Sequence, residues 1–76
     1  MKDLYTQLII NKMEDLIKKK TNAKKLDKHS RKLIESWSIN MYNDYNKNNE
    51  LEEIRNNNIS NEDFEKYFDN NKLLYF

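Results

Sequence analysis

Apolar residues recur along the first third of the chain at helical spacing. Leu4, Leu8, Ile9, Met13, Leu16 and Ile17 form one stripe with Ile10 beside it, which predicts a helix over roughly 3–20. Asp3 suits its N-cap, and Lys18-Lys19-Lys20 suits the negative end of its macrodipole. Thr21-Asn22 reads as a break and a fresh cap. A second stripe holds Leu26, Leu33, Ile34, Trp37, Met41 and Tyr45, with Ala23 and Ser30 filling it, and predicts a helix over roughly 22–43. Its opposite face carries Lys24, Lys25, Lys28, Arg31, Lys32 and Glu35. From Asn43 the pattern dissolves into a polar connector, interrupted by Leu51 and Ile54 at a spacing that suits one short helix. Ser60 and Asp63 stand at capping-box spacing ahead of an aromatic stripe, Phe64, Tyr67 and Phe68. The apolar end, Leu73-Leu74-Tyr75-Phe76, calls for a surface to pack on: the bundle itself, a partner, or a second copy.

No segment alternates with period two, so the expected fold is all-α, a small helical bundle of three to four helices. Seventy-six residues allow one domain. Within it, residues 1–45 form a two-helix core with a basic face, 46–58 an Asn-rich connector with a short helix, and 59–76 a C-terminal aromatic helix. A chain this short must use most of its large apolar residues as core.

Composition removes whole classes of function. Gly, Pro and Cys are all absent. Without Gly there is no phosphate-cradling loop of the Walker or Rossmann kind, and hairpins lack their usual turn residue. Without Cys there is neither a disulfide framework nor a thiolate metal site, and a lone His29 makes structural zinc implausible. No apolar run approaches the ~20 residues that span a bilayer, and no signal-peptide pattern opens the sequence. The abundance of Asn, Lys, Ile and Tyr is that of an AT-rich coding sequence, which places much of the Asn on exposed positions as drift.

Candidate catalytic groups are few. His29 and Ser30 are adjacent on a helix, so they do not face each other as base and nucleophile. Glu52-Glu53, Glu62-Asp63 and Glu65 fall on solvent faces, where solubility explains them. Residues 43–50 offer oxygen donors but lack the Gly and the spacing of a calcium loop. The chain is therefore read as a non-enzyme with no cofactor and no metal.

Charge supplies the one strong site signal. The net charge is +1, yet residues 1–39 carry ten Lys/Arg against five Asp/Glu, and residues 40–76 carry four against eight. Lys18, Lys19, Lys20, Lys24, Lys25, Lys28, Arg31 and Lys32 lie close together with Asp27 as the sole acid among them. A solvated helix face, an acidic protein segment and nucleic acid all fit such a cluster. Nucleic acid fits less well, because no aromatics interleave with the cluster for stacking and it holds a single Arg, Arg31, for base reading.

The stretch R-K-L-I-E-S-W-S, Arg31 to Ser38, resembles the Leu–Trp signature of the TFIIS N-terminal domain family, most nearly that of the Interacts-with-Spt-six elongation factor. Lys32 to Asn43 is similar to that factor's Leu-Ile…Trp-Ser segment, Ile10 to Lys19 to its preceding helix, and Glu50 to Arg55 to its acidic segment. Asn11 stands where the family has Gly, and Asn40 where that factor tends to have Pro. The family's leading helices precede the matched region, so either this chain is a fragment or its final aromatic helix takes their place. The resemblance implies a nuclear, non-enzymatic helical module that docks acidic, Phe-containing disordered segments in transcription elongation complexes. On that reading Lys12, Lys25, Lys28, Arg31 and Lys32 guide the partner's acids, and Leu33 and Trp37 shape the wall of a pocket for its anchor.

A second reading uses the other half of the chain. A small stand-alone helical modulator, of the kind phage and mobile elements encode, would act in the cytoplasm through an acidic aromatic surface of Phe64, Tyr67, Phe68 and Tyr75. A homodimer through Leu73–Phe76 is a third. None of these readings involves a membrane.

Overall fold

The computed structural model describes residues 4–22 and 24–69. The fold is all-α, as the periodicity predicts. It has four helices among the described residues: α1 (Leu4–Thr21), α2 (Lys28–Lys47), α3 (Leu51–Arg55) and α4 (Asn61–Glu65). Asp3, Ala23 and the Leu73–Phe76 end, Tyr75 included, lie outside the described residues.

Helices α1 and α2 run antiparallel. Tyr5 meets Tyr42 with ring centroids 6.5 Å apart, and the Ser38 hydroxyl donates to Met13 Sδ at 3.4 Å, so rising numbers in α1 oppose falling numbers in α2. Ser38 and Met13 are both fully buried. A hydroxyl there must find a partner, and the small side chain lets the two backbones approach. The predicted stripes form the seam: Ile9, Ile10, Met13, Leu16 and Ile17 from α1, with Leu33, Ile34, Trp37 and Met41 from α2. Helices α3 and α4 pack on α1 and close one side of this pair, adding Ile54, Ile59, Phe64 and Phe68.

The second helix begins six residues later than the pattern suggests. Asn22 does not cap it; Asn22 has φ 57 and ends α1 in the left-handed region. The cap is Asp27, whose carboxylate accepts from the Ser30 amide at 2.8 Å. The Ser30 amide and hydroxyl hold the Asp27 carboxyl below its ordinary range, with His29 adding to the effect. Leu26, read as the first residue of the stripe, precedes the cap and is buried from the connector. At its far end α2 runs on to Lys47, so Asn43–Lys47, read as connector, is helical.

Both α2 and α3 stop in the same way. The Asn49 and Glu50 amides return to the Asn46 and Tyr45 carbonyls at 3.2 and 2.8 Å, and the Asn57 and Asn58 amides to Ile54 and Glu53 at 3.2 and 3.0 Å. This is the paired 5→2 and 6→1 bonding of a Schellman turn, and it requires a left-handed residue. Asn49 (φ 58) and Asn57 (φ 57) supply it in a chain without Gly. Part of the Asn content thus has a structural cause, not drift.

The C-terminal helix is shorter than expected. The Ser60 hydroxyl caps it by accepting from the Asp63 amide at 3.3 Å, while the Asp63 carboxylate turns to Lys66 at 3.2 Å. After Glu65 the chain tightens into i→i−3 bonds, Tyr67 to Phe64 at 3.2 Å and Phe68 to Glu65 at 3.1 Å. That turn sends neighbouring aromatics in different directions. Phe68 lies over the Trp37 indole with centroids 5.3 Å apart, and the Tyr67 hydroxyl donates to Asp44 Oδ2 at 2.7 Å.

Candidate functional site

The two sets of expected contact residues meet in one core. Trp37 is 6% exposed and Leu33 9%, while Phe64 and Phe68 are 4% and 8% exposed. Leu33 and Trp37, expected to wall a pocket open to a partner, are both buried in the core, and Phe68 lies over Trp37. Phe64 and Phe68, expected as a contact surface, belong to the same core. The physical reason is size: a chain this short has no large apolar residues to spare from its core. Of the aromatic set, Tyr67 is half-buried and held by Asp44.

The basic residues behave differently. Lys24, Lys25, Lys28, Arg31 and Lys32 are all exposed. Among the described residues none of them pairs with a carboxylate, the ion pair being Lys66–Asp63. Lys28, Arg31 and Lys32 share one face of α2, at i, i+3 and i+4. Lys25 stands in the bend just before that helix. Lys12 lies on the other helix, α1, half-buried and one residue before Met13, which meets Ser38.

Away from this end lies a feature that sequence reading missed. Tyr45, Glu50, Glu53, Asn58, Ile59 and Asp63 line an open cleft of about 280 Å³ where the end of α2, the head of α3 and the start of α4 converge. Burial raises the Tyr45 phenol pKa, and Asp63, Glu50 and Glu53 push it further in the same direction. The signal was present in the acidic second half of the chain. The cleft itself depends on the two left-handed turns, which bring Glu50, Asn58 and Asp63 to one place. Its carboxylates do not converge as a metal site: among the described residues no three His, Cys, Asp or Glu side chains are grouped to hold an ion. Glu50, Glu53 and Asp63 make this part of the surface electronegative.

Among the described residues two large apolar side chains of the helix pair are exposed, Leu4 (62%) and Ile39 (51%), while Tyr5, Leu8 and Tyr42 are half-buried against the core. Among the described residues no helix is long and apolar enough to cross a membrane. In comparisons with known proteins, no family model, no curated protein and no solved structure matches this chain.

Proposed function

We propose that the protein is a non-enzymatic interaction module that docks an acidic, Phe-containing disordered protein segment. The observation that carries this reading is the exposed cluster Lys24, Lys25, Lys28, Arg31 and Lys32, left without carboxylate partners among the described residues. Its counterweight is the acidic cleft, which makes the charge distribution directional. Exposed charges of this kind accelerate encounter and select against the wrong partner more than they add affinity. The Leu–Trp resemblance supports the same class of partner, and would place the module in transcription elongation complexes in the nucleus. The alternative through the aromatic C-terminal half is weakened by the burial of Phe64 and Phe68.

The test is a titration of a labelled acidic peptide with one central Phe, followed by anisotropy at low and moderate salt. Saturable binding that weakens with salt is expected. Lys25→Glu/Lys28→Glu/Lys32→Glu should abolish it while leaving helical content unchanged. A wild-type protein that ignores the peptide, or a triple variant that binds it equally well, refutes the proposal. Tighter binding of a single-stranded oligonucleotide than of the peptide would assign the basic face to nucleic acid instead.

A further inference from the structure

Charge of opposite sign collects at the two ends of α2. Residues 18–32 carry eight Lys/Arg against one acid, and that acid, Asp27, is engaged in capping the helix. Because α1 and α2 are antiparallel, the exposed Lys19 and Lys20 at the end of α1 stand at the same end of the pair as Lys28, Arg31 and Lys32. Residues 44–65, at the other end, carry seven Asp/Glu against Lys47 and Arg55. Three of those acids, Glu50, Glu53 and Asp63, line the cleft.

The two ends cannot satisfy each other within one molecule. Lys28 and the cleft residue Tyr45 are seventeen residues apart on α2, which is about 25 Å of helix. Salt screens exposed charges beyond about 8 Å at physiological ionic strength. Among the described residues, Lys28, Arg31 and Lys32 have no carboxylate partner, and Glu50 and Glu53 have no cation. The net charge is +1, so two copies of the chain repel each other little as whole bodies.

We propose that the basic end of one copy docks on the acidic cleft of a second copy. Lys28, Arg31 and Lys32 of the first face Glu50, Glu53 and Asp63 of the second. The argument for that occupant is charge complementarity between two surfaces that each lack an internal partner. The contact joins unlike surfaces at opposite ends of α2, so it is heterologous, and a pair keeps one free end of each sign. Exposed charges make it weak and salt-dependent. It goes beyond the docking reading and does not depend on it. Where both hold, an acidic segment and a second copy compete for the same cations, and the partner dissolves the assembly.

The test is sedimentation equilibrium of the full chain at millimolar concentration, at low salt and at several-fold higher salt. The weight-average mass should exceed that of a monomer at low salt and fall to it as salt rises. Lys25→Gln/Lys28→Gln/Lys32→Gln and Glu50→Gln/Glu53→Gln change exposed residues and should each weaken self-association roughly tenfold. An equimolar mixture of the two variants should form one-to-one pairs and stop there, since only one usable end of each sign remains. Lys47→Gln/Arg55→Gln alters charge near the cleft without touching either surface, and should still associate at low salt. A wild type that stays monomeric at low salt overturns the proposal. So does association indifferent to salt or to either variant, or a mixture that fails to pair. The cleft variant keeps every cation, so its binding of the acidic peptide reports on the docking function alone. Peptide binding without self-association refutes only the present proposal, and self-association without peptide binding refutes only the docking function.

Discussion

Tyr67 couples the last described segment to α2 through one proton. Its hydroxyl donates to Asp44 Oδ2 at 2.7 Å. Burial of the phenol, followed by that bond and the Asp44 charge, pushes its pKa well above the ordinary tyrosine range. The raised value means the folded state holds the proton more tightly than the unfolded chain. The contribution is complete below the unfolded tyrosine pKa, about 10, and falls away as pH rises from there toward the folded value. Urea midpoints recorded from pH 8 upward should therefore decline above about pH 10, and Tyr67→Phe should flatten part of that decline. At neutral pH the same substitution should cost about 1 kcal/mol, the usual net worth of one such bond near solvent. The inward direction of Trp37 was legible at this scale because helical spacing alone aligns it with Leu33, Ile34 and Met41. The partner of Tyr67 was not, since residues 44 and 67 meet only through the tight turn after α4.

Helix ends are where the sequence was hardest to read. Asn22 and Asp27 are both short polar residues, and both types can start a helix or stop one. The decision comes from backbone geometry, left-handed at Asn22 and extended at Asp27, with Leu26 buried between them. Three Asn residues, at 22, 49 and 57, hold positive φ. A side chain with a Cβ pays roughly 1–2 kcal/mol in that region, less for Asn, whose amide bonds locally. Asn49→Ala and Asn57→Ala should each lower stability by about 1 kcal/mol. The corresponding Gly substitutions should be neutral or slightly stabilising. Denaturant midpoints at constant m-value would check this; equal losses for Ala and Gly would point to a side-chain contact and not to backbone conformation. The basic face could be read in advance, because exposure on α2 follows from the 3.6-residue period. Where α3 and α4 settle on the helix pair could not, because it depends on contacts between residues far apart in the chain.

The molecule as a whole has one core, built from both ends of the described chain. A domain of this size is expected to be stable by about 4–11 kcal/mol. Phe68→Ala, which uncovers the single Trp, should cost about 3–5 kcal/mol and shift Trp37 emission to the red. Far-UV helicity and Trp37 emission should still report one shared transition. If emission shifts while the helical transition stays where it was, the C-terminal segment is a flap that folds apart from the helix pair. The charge of the whole molecule points the same way as its surface chemistry. Near-neutral in sum, it places exposed cations beside α2's first half and carboxylates around the cleft, so its surface charge is unevenly distributed.

The contact between Phe68 and Trp37 has a consequence for synthesis. Translation brings α1 and α2 out of the ribosome first, with Leu33 and Trp37, while Ile59, Phe64 and Phe68 follow them later. On the ribosome the helix pair can form early from neighbouring residues, but its indole side stays wet until the final segment emerges. During that interval the nascent chain presents an apolar strip that chaperones recognise and that neighbouring nascent chains can stick to. The last described residues therefore act as the lid that ends this vulnerable stage.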